Sequence, residues 1–227
     1  MLGLTIPRYF FAALFVVYFM VPDSSRAASS IGSVTLVHEY AYSKHLSEDR
    51  KALYERDDVY QDEVVETISD GALHIEFVDE TTLRLGSDSI VTLDKLIYDP
   101  ESKDGQMVIN LVQGVFRFVS GNINKVGVRV ITPTLTIAIR GTDFIVAVDE
   151  DGATAVSVSE GEIDVSANNG DGGSVSVPGG KVASISATAT SVSVDVGGSV
   201  SNDPGLNDNG PGDSDSGSGA GEGGGGY

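Results

Sequence analysis

From Ile131 to Val165 apolar side chains fall at every second position: Leu135, Ile137 and Ile139, then Phe144, Val146 and Val148, then Val156 and Val158, then Ile163 and Val165. A period of two predicts strands, each with one buried face. Asp151-Gly152 separates the second and third runs, and Asp-Gly between alternating runs predicts a hairpin. Arg140-Gly141-Thr142 interrupts the first two runs. A glycine inside such a pattern marks a bulge or a close backbone approach.

The same alternation recurs on both sides. Val34-x-Leu36 predicts a first strand, whereas the charged run Ser43 to Asp58 carries only a weak helical period through Leu46, Leu53 and Tyr54. That zone fits a short helix as well as it fits a loop. From Val59 the signal sharpens: Val64 and Thr67-Ile68 lead through an Asp70-Gly71 turn to Leu73, Ile75 and Phe77. Leu83 and Leu85 return, and Ile90, Thr92, Leu93 and Leu96 continue to Tyr98-Asp99-Pro100. Val108 to Phe118 predicts one long strand whose apolar positions are too continuous for a single face, with Gly114 as its bend. Val126, Val128 and Val130 follow the Ser120-Gly121-Asn122 turn. Beyond Asn168, short Val/Ser runs at Val175–Val177, Val182–Ile185 and Val192–Val196, divided by Pro178-Gly179-Gly180, predict edge strands.

About a dozen short runs at roughly ten-residue spacing, with no convincing helix after Val59, predict an all-β domain. Sandwich, barrel and β-roll all fit; a compact sandwich or roll of stacked sequential hairpins is favoured. It is expected to span residues 31–196.

The order Thr-Pro, alternating apolars, Arg140-Gly141-Thr142-Asp143-Phe144, Asp151-Gly152, then Val158-x-Glu160-Gly161-Glu162-Ile163-x-Val165 resembles the FecR-domain family. The resemblance runs over about residues 57 to 166, through Asp62, Ile68, Gly71, Phe77, Asp79, Leu83, Leu85, Gly86, Ser89, Leu93 and Asp94, then Gly114 to Phe118 and Ser120-Gly121. The family usually has Asp-Gly where this chain has Asp79-Glu80, so that turn is expected to be longer or of another type. The resemblance implies a noncatalytic exported domain. In the family's best-known members it lies in the periplasm and passes a signal from an outer-membrane receptor, through a membrane helix, to a cytoplasmic domain that holds a sigma factor. No cytoplasmic domain and no mid-chain spanning helix are expected here, so only the interaction module is carried over.

Both termini read differently from the middle. Arg8, the apolar stretch Tyr9 to Val21 and Ser25-Arg26-Ala27 predict a secretory signal over residues 1–27, cleaved after Ala27. Thirteen apolar residues fall short of the roughly 20 that a membrane span needs, so no stable anchor is expected after cleavage; an uncleaved anchor is the other reading. Residues 197–227, rich in Gly, Ser and Asp, predict a disordered acidic tail.

Composition narrows the chemistry. The 227 residues contain no cysteine, which excludes disulfides and thiolate chemistry. The net charge is −19, and fourteen Asp or Glu but one basic residue, Lys181, follow Gly141. Such a surface repels phosphate backbones, so a nucleic-acid partner is not expected. The histidines His38, His45 and His74 are scattered, and no HExxH or similar cluster occurs, so no metal site is expected. A calcium loop begun at Asp213 has Asp215 at its third position but Gly217 at the fifth and Gly224 at the twelfth, and fails. There is no GxSxG elbow or phosphate-binding glycine loop, and no catalytic residue or cofactor is assigned.

The candidate site is therefore Arg140-Gly141-Thr142-Asp143. A guanidinium directly after Ile137-Ala138-Ile139 sits at the edge of a core and needs acceptors. Either it pairs with an acid such as Asp143, Asp149 or Glu160 and ties strands together, or it offers a bidentate fork to a carboxylate-bearing partner. The expected function is an exported envelope protein-interaction or signalling module, periplasmic or at the cell surface, whose partner is another envelope or surface protein. The alternative is an extracellular structural or adhesive protein. No small-molecule ligand is identified.

Overall fold

The computed structural model describes residues 29–45, 48–124, 127–170 and 173–196. The expected signal segment with Ala27 and the expected tail 197–227 lie outside the described residues. The strands are β1 (Ser30–His38), β2 (Ala41–His45), β3 (Lys51–Ala52), β4 (Asp58–Tyr60), β5 (Glu63–Thr67), β6 (Ala72–Phe77), β7 (Thr82–Leu85), β8 (Ile90–Tyr98) and β9 (Gly105–Val119). They continue with β10 (Val128–Ile131), β11 (Leu135–Ile139), β12 (Asp143–Val148), β13 (Thr154–Glu160), β14 (Glu162–Ala167), β15 (Ser174–Pro178), β16 (Lys181–Ile185) and β17 (Ser193–Val196). No α-helix occurs among the described residues, and the all-β expectation holds. The ambiguous zone after Leu36 forms short strands, β2 to β4, among its described residues.

The strands form two sheets that share β9. Sheet I runs β4-β1-β6-β7-β9-β12-β13-β16-β17, and sheet II runs β3-β2-β5-β8-β9-β10-β11-β14-β15. Among the described residues every pairing is antiparallel except β9 with β10. After β11 the chain alternates between sheets, hairpin by hairpin: β12-β13 in sheet I, β14-β15 in sheet II, β16-β17 in sheet I. Sequential hairpins thus stack into a roll.

β9 explains its own unbroken apolar pattern. Residues 105–113 pair with β8 in sheet II, and residues 114–119 pair with β12 in sheet I. Burial switches from odd positions (Met107, Ile109, Leu111) to even ones (Phe116, Phe118). A one-residue slip of this kind is what a bulge introduces. The slip falls at Val112, which the ladder to β8 skips between Leu111 opposite Val91 and Gln113 opposite Ile90; Gly114 follows at φ 111°, with the Ser89 side chain where a Cβ would stand. β7, β8, β10 and β12 all pair with this one strand.

The inward residues of both sheets form one continuous core, from Val34 and Val65 through Leu85 and Met107 to Val165 and Ile185. Phe118 and Phe144, register partners on β9 and β12, stack with centroids 5.3 Å apart at 29°.

The Asp79-Glu80 turn departs from expectation. It is neither longer nor of another type: Phe77 N–H donates to Thr81 O at 2.9 Å and Glu80 N–H to Phe77 O at 2.9 Å, with Glu80 at φ 67°. The Asp151-Gly152 hairpin has the same pattern, Asp149 N–H to Ala153 O and Gly152 N–H to Asp149 O. Both are three-residue hairpins that need one left-handed residue. In the first, glutamate supplies that conformation.

Candidate functional site

Where the chain crosses from one sheet to the other, its corners line up along one margin of the sandwich. Gly141 and Thr142 carry the chain from β11 to β12, and Gly161 carries it from β13 to β14. These two corners touch: a Cβ on Gly161 would lie 2.2 Å from the Gly141 carbonyl oxygen, so only glycine fits. The next contact inward is reciprocal, with Ser120 N–H donating to Thr142 O at 3.0 Å and Thr142 N–H to Ser120 Oγ at 2.8 Å. Beyond it, Gly121 N–H donates to Thr81 Oγ1 at 3.0 Å, and Thr81 Oγ1 donates to the buried Asp79 carboxylate at 2.6 Å. Asn122 N–H meets the Asp79 carbonyl at 2.7 Å. Segments far apart in sequence are thereby joined turn to turn by short polar residues and glycines, the types that satisfy backbone groups at close approach.

The four expected site residues lie on this margin but do different things. Arg140 is at the surface, its side chain 63% exposed, and its Nη2 stands 2.7 Å from Asp164 Oδ2 on β14. The acids expected for it, Asp143, Asp149 and Glu160, are not its partner. Asp143 is held by Arg117 of β9 instead: Nε donates to Oδ1 at 3.0 Å and Nη2 to Oδ2 at 2.8 Å, a two-pronged fork across neighbouring strands. Gly141 makes the close approach just described. Thr142 is buried, and its Oγ1 has no hydrogen-bond partner.

Arg117 is the residue that sequence reasoning does not single out. Its signal is an outward position inside the Gly-Val-Phe-Arg-Phe run, flanked by the buried Phe116 and Phe118, where a charge must find a partner on the next strand.

The acidic groups elsewhere are explained by their surroundings. Glu63, 8% exposed, is pushed above its usual range by burial, against which the Tyr60 N–H and the nearby His45 and Lys51 act. Burial, aided by Asp62, also raises Asp94 on a shallow groove lined by Lys44, Asp62, Val64, Thr92 and Asp94, where Asn110 donates to Asp94. Exposed Asp99 is lowered because the Glu101 N–H and the Ser102 side chain and N–H donate to it. Among the described residues no group of three or more His, Cys, Asp or Glu side chains is placed to hold a metal ion. His74 is half-buried between Leu73 and Ile75. No helix among the described residues is long and apolar enough to cross a membrane.

Asp79, Gly121, Arg140-Gly141-Thr142-Asp143 and Gly161, the residues that join these turns, all fall inside one matched stretch of the chain. The family model described as FecR protein matches residues 63–164, from β5 to β14, a little under half of the 227 residues. Two crystal structures of a candidate anti-sigma factor from Parabacteroides distasonis ATCC 8503 are similar at 15% identity and a TM-score of 0.47, over 59% of this chain and 59% of theirs. A cell surface anchoring domain is similar at 29% identity and a TM-score of 0.27, over 27% of this chain and 82% of its own. No curated protein matches.

Proposed function

We propose that this protein is an exported, noncatalytic signalling or regulatory module that works by binding another envelope protein, with the surface around Arg140 as its contact. The FecR match over residues 63–164 is the observation that carries this reading, because FecR-type proteins are regulatory and envelope-associated. Arg140 supports the placement: its guanidinium is largely exposed beside Asp164, so a cationic fork faces solvent at this corner. The signal segment 1–27 would deliver the β-rich domain 31–196 across the inner membrane, with the acidic segment 197–227 trailing it.

The test is capture from detergent-solubilised envelope with the mature protein as bait, alongside fractionation of cells. The reading expects periplasmic or envelope material and a defined partner that Arg140→Ala loses while keeping the wild-type melting curve. Protein found in the medium, with no partner in the envelope, favours an extracellular structural or adhesive role and sinks the proposal.

A further inference from the structure

The two ends of the sandwich are finished differently. At one end the outermost strands are β3, two residues long, and β4, three residues long, with Lys51, Arg56, Asp57 and Asp58 about them. Short, charged edges of this kind resist pairing with another chain. At the other end sheet II stops at β15, Ser174-Val175-Ser176-Val177-Pro178, five residues without a charge.

The backbone of β15 points in known directions. Gly179 N–H donates to Gly161 O at 2.9 Å, and residues 162–166 pair with residues 178–174 in the same register. Alternate residues address the same side, so Val175 and Val177 turn their N–H and C=O groups to β14. Ser174 and Ser176 turn theirs outward, where no strand stands among the described residues. Pro178 has the outward parity too, the one parity in which a missing N–H breaks no ladder bond. Val175 faces the core side yet is 38% exposed, for want of a neighbour beyond it.

We propose that β15 is the docking edge for an extended segment of a partner protein, one that alternates apolar with basic side chains. This deepens the interaction reading above and rests on it. The added strand would form four backbone hydrogen bonds with Ser174 and Ser176, and an apolar residue beside Val175 would cover it. Charge sets the outward positions of the partner. Asp164 stands opposite Ser176 and Glu162 opposite Pro178, on the outer face one strand in from the edge. The serine side chain between is short, and the added strand lies about 10 Å from Asp164 at two strand spacings. A lysine or arginine there reaches over Ser176 to the carboxylate that also holds Arg140. A second copy of this chain is disfavoured by the same charges: the net charge is −19, and Lys181 is the sole basic residue beyond Gly141.

The experiment is amide hydrogen exchange, followed by NMR on the full mature chain, with and without a capped nonapeptide of alternating valine and lysine. The expected result is exchange slowed at least tenfold at Ser174 and Ser176 alone, with binding that weakens as salt rises. A valine/glutamate peptide is expected to do nothing. Ser176→Pro, which removes an outward N–H, is expected to weaken binding at least tenfold, and Asp164→Asn to weaken it severalfold with the fold intact. Unchanged exchange at Ser174 and Ser176, protection elsewhere, or equal binding by the two peptides overturns the proposal. Slow exchange at both serines without peptide also overturns it, since the edge would then be occupied by the chain's own residues or a second copy. If Ser176→Pro does not fold, the peptide comparison and Asp164→Asn decide. An envelope partner that binds without slowing Ser174 and Ser176 refutes the docking edge and leaves the interaction function standing.

Discussion

Glu80 holds, at φ 67°, the turn position between β6 and β7 that Gly152 holds, at φ 85°, between β12 and β13. The hydrogen bonds around them are the same. An L side chain in that conformation costs about 1 kcal/mol relative to glycine, and the Glu80 side chain is exposed. Glu80→Gly is therefore expected to raise stability by up to about 0.6 kcal/mol, after the added freedom of the unfolded chain is subtracted. Urea denaturation with an unchanged slope and a raised midpoint is the measurement. Gly152→Glu should move the midpoint the other way by more, since a Cβ there stands 2.9 Å from the Pro133 Cβ.

The two corner threonines should respond oppositely to the same change. Thr142 Oγ1 is buried without a partner, so Thr142→Val removes an unsatisfied group at nearly constant shape and is expected to be neutral or to stabilise by up to about 1 kcal/mol. Thr81 Oγ1 serves Asp79 and the Gly121 N–H together. Thr81→Val takes this partner from Asp79 Oδ2 and from the Gly121 N–H, while Asp79 Oδ1 keeps the Thr81 N–H, and should cost about 2–3 kcal/mol. Similar midpoints for the two variants would refute this view of the margin.

The two arginine pairs differ in exposure and should differ in coupling. Arg117 and Asp143 are 24% and 19% exposed and joined at two points, whereas Arg140 is 63% exposed and joined to Asp164. Double-mutant cycles with alanine are expected to give about 1–2 kcal/mol for Arg117–Asp143 and under about 0.5 kcal/mol for Arg140–Asp164. The small second value is what makes Arg140→Ala a clean probe of binding.

Glu63 makes stability depend on pH in an unusual direction for a carboxylate. Burial raises it above 4.5, so the folded protein holds this proton more tightly than the unfolded chain does. Its contribution is fully present below 4.5 and is lost as pH rises through the folded value. Asp94 acts in the same direction, and Asp99, lowered by its N–H donors, acts in the opposite one. Glu63→Gln, whose amide oxygen still accepts from Tyr60 N–H, should gain on the wild type between pH 4 and pH 7. Parallel stability curves for the two proteins across that window would exclude the assignment.

Most of the strands could be read from alternation alone, because each of β11 to β14 has one face in the core and a turn residue at its end. β9 was legible as a strand but not as a member of two sheets: Gly114 signals a bend, and only the partners β8 and β12 show where each half goes. Arg140 could be picked out by its place after an apolar run. Its partner could not, since Asp164 lies 24 positions later and becomes a neighbour only through the pairing of Ala138 with Asp164. The roles of Thr142, Asp79 and Thr81 were hidden for the same reason, since they exist only where separate turns meet, although Thr142 and Asp79 stand in the motifs the sequence offers. The Glu80 turn was misjudged because glutamate carries no sign of a left-handed backbone; the hydrogen-bonded frame imposes it.

The double membership of β9 also orders events during synthesis. A nascent chain that ends before residue 105 has made β7 and β8, yet each lacks the neighbour that β9 supplies, and neither sheet can be completed. Once residues 105–119 emerge, a single strand closes both ladders and offers two fresh templates, in opposite sheets, for β10 and β12. The first half of the polypeptide therefore waits for the middle, and the second half is laid down on it hairpin after hairpin.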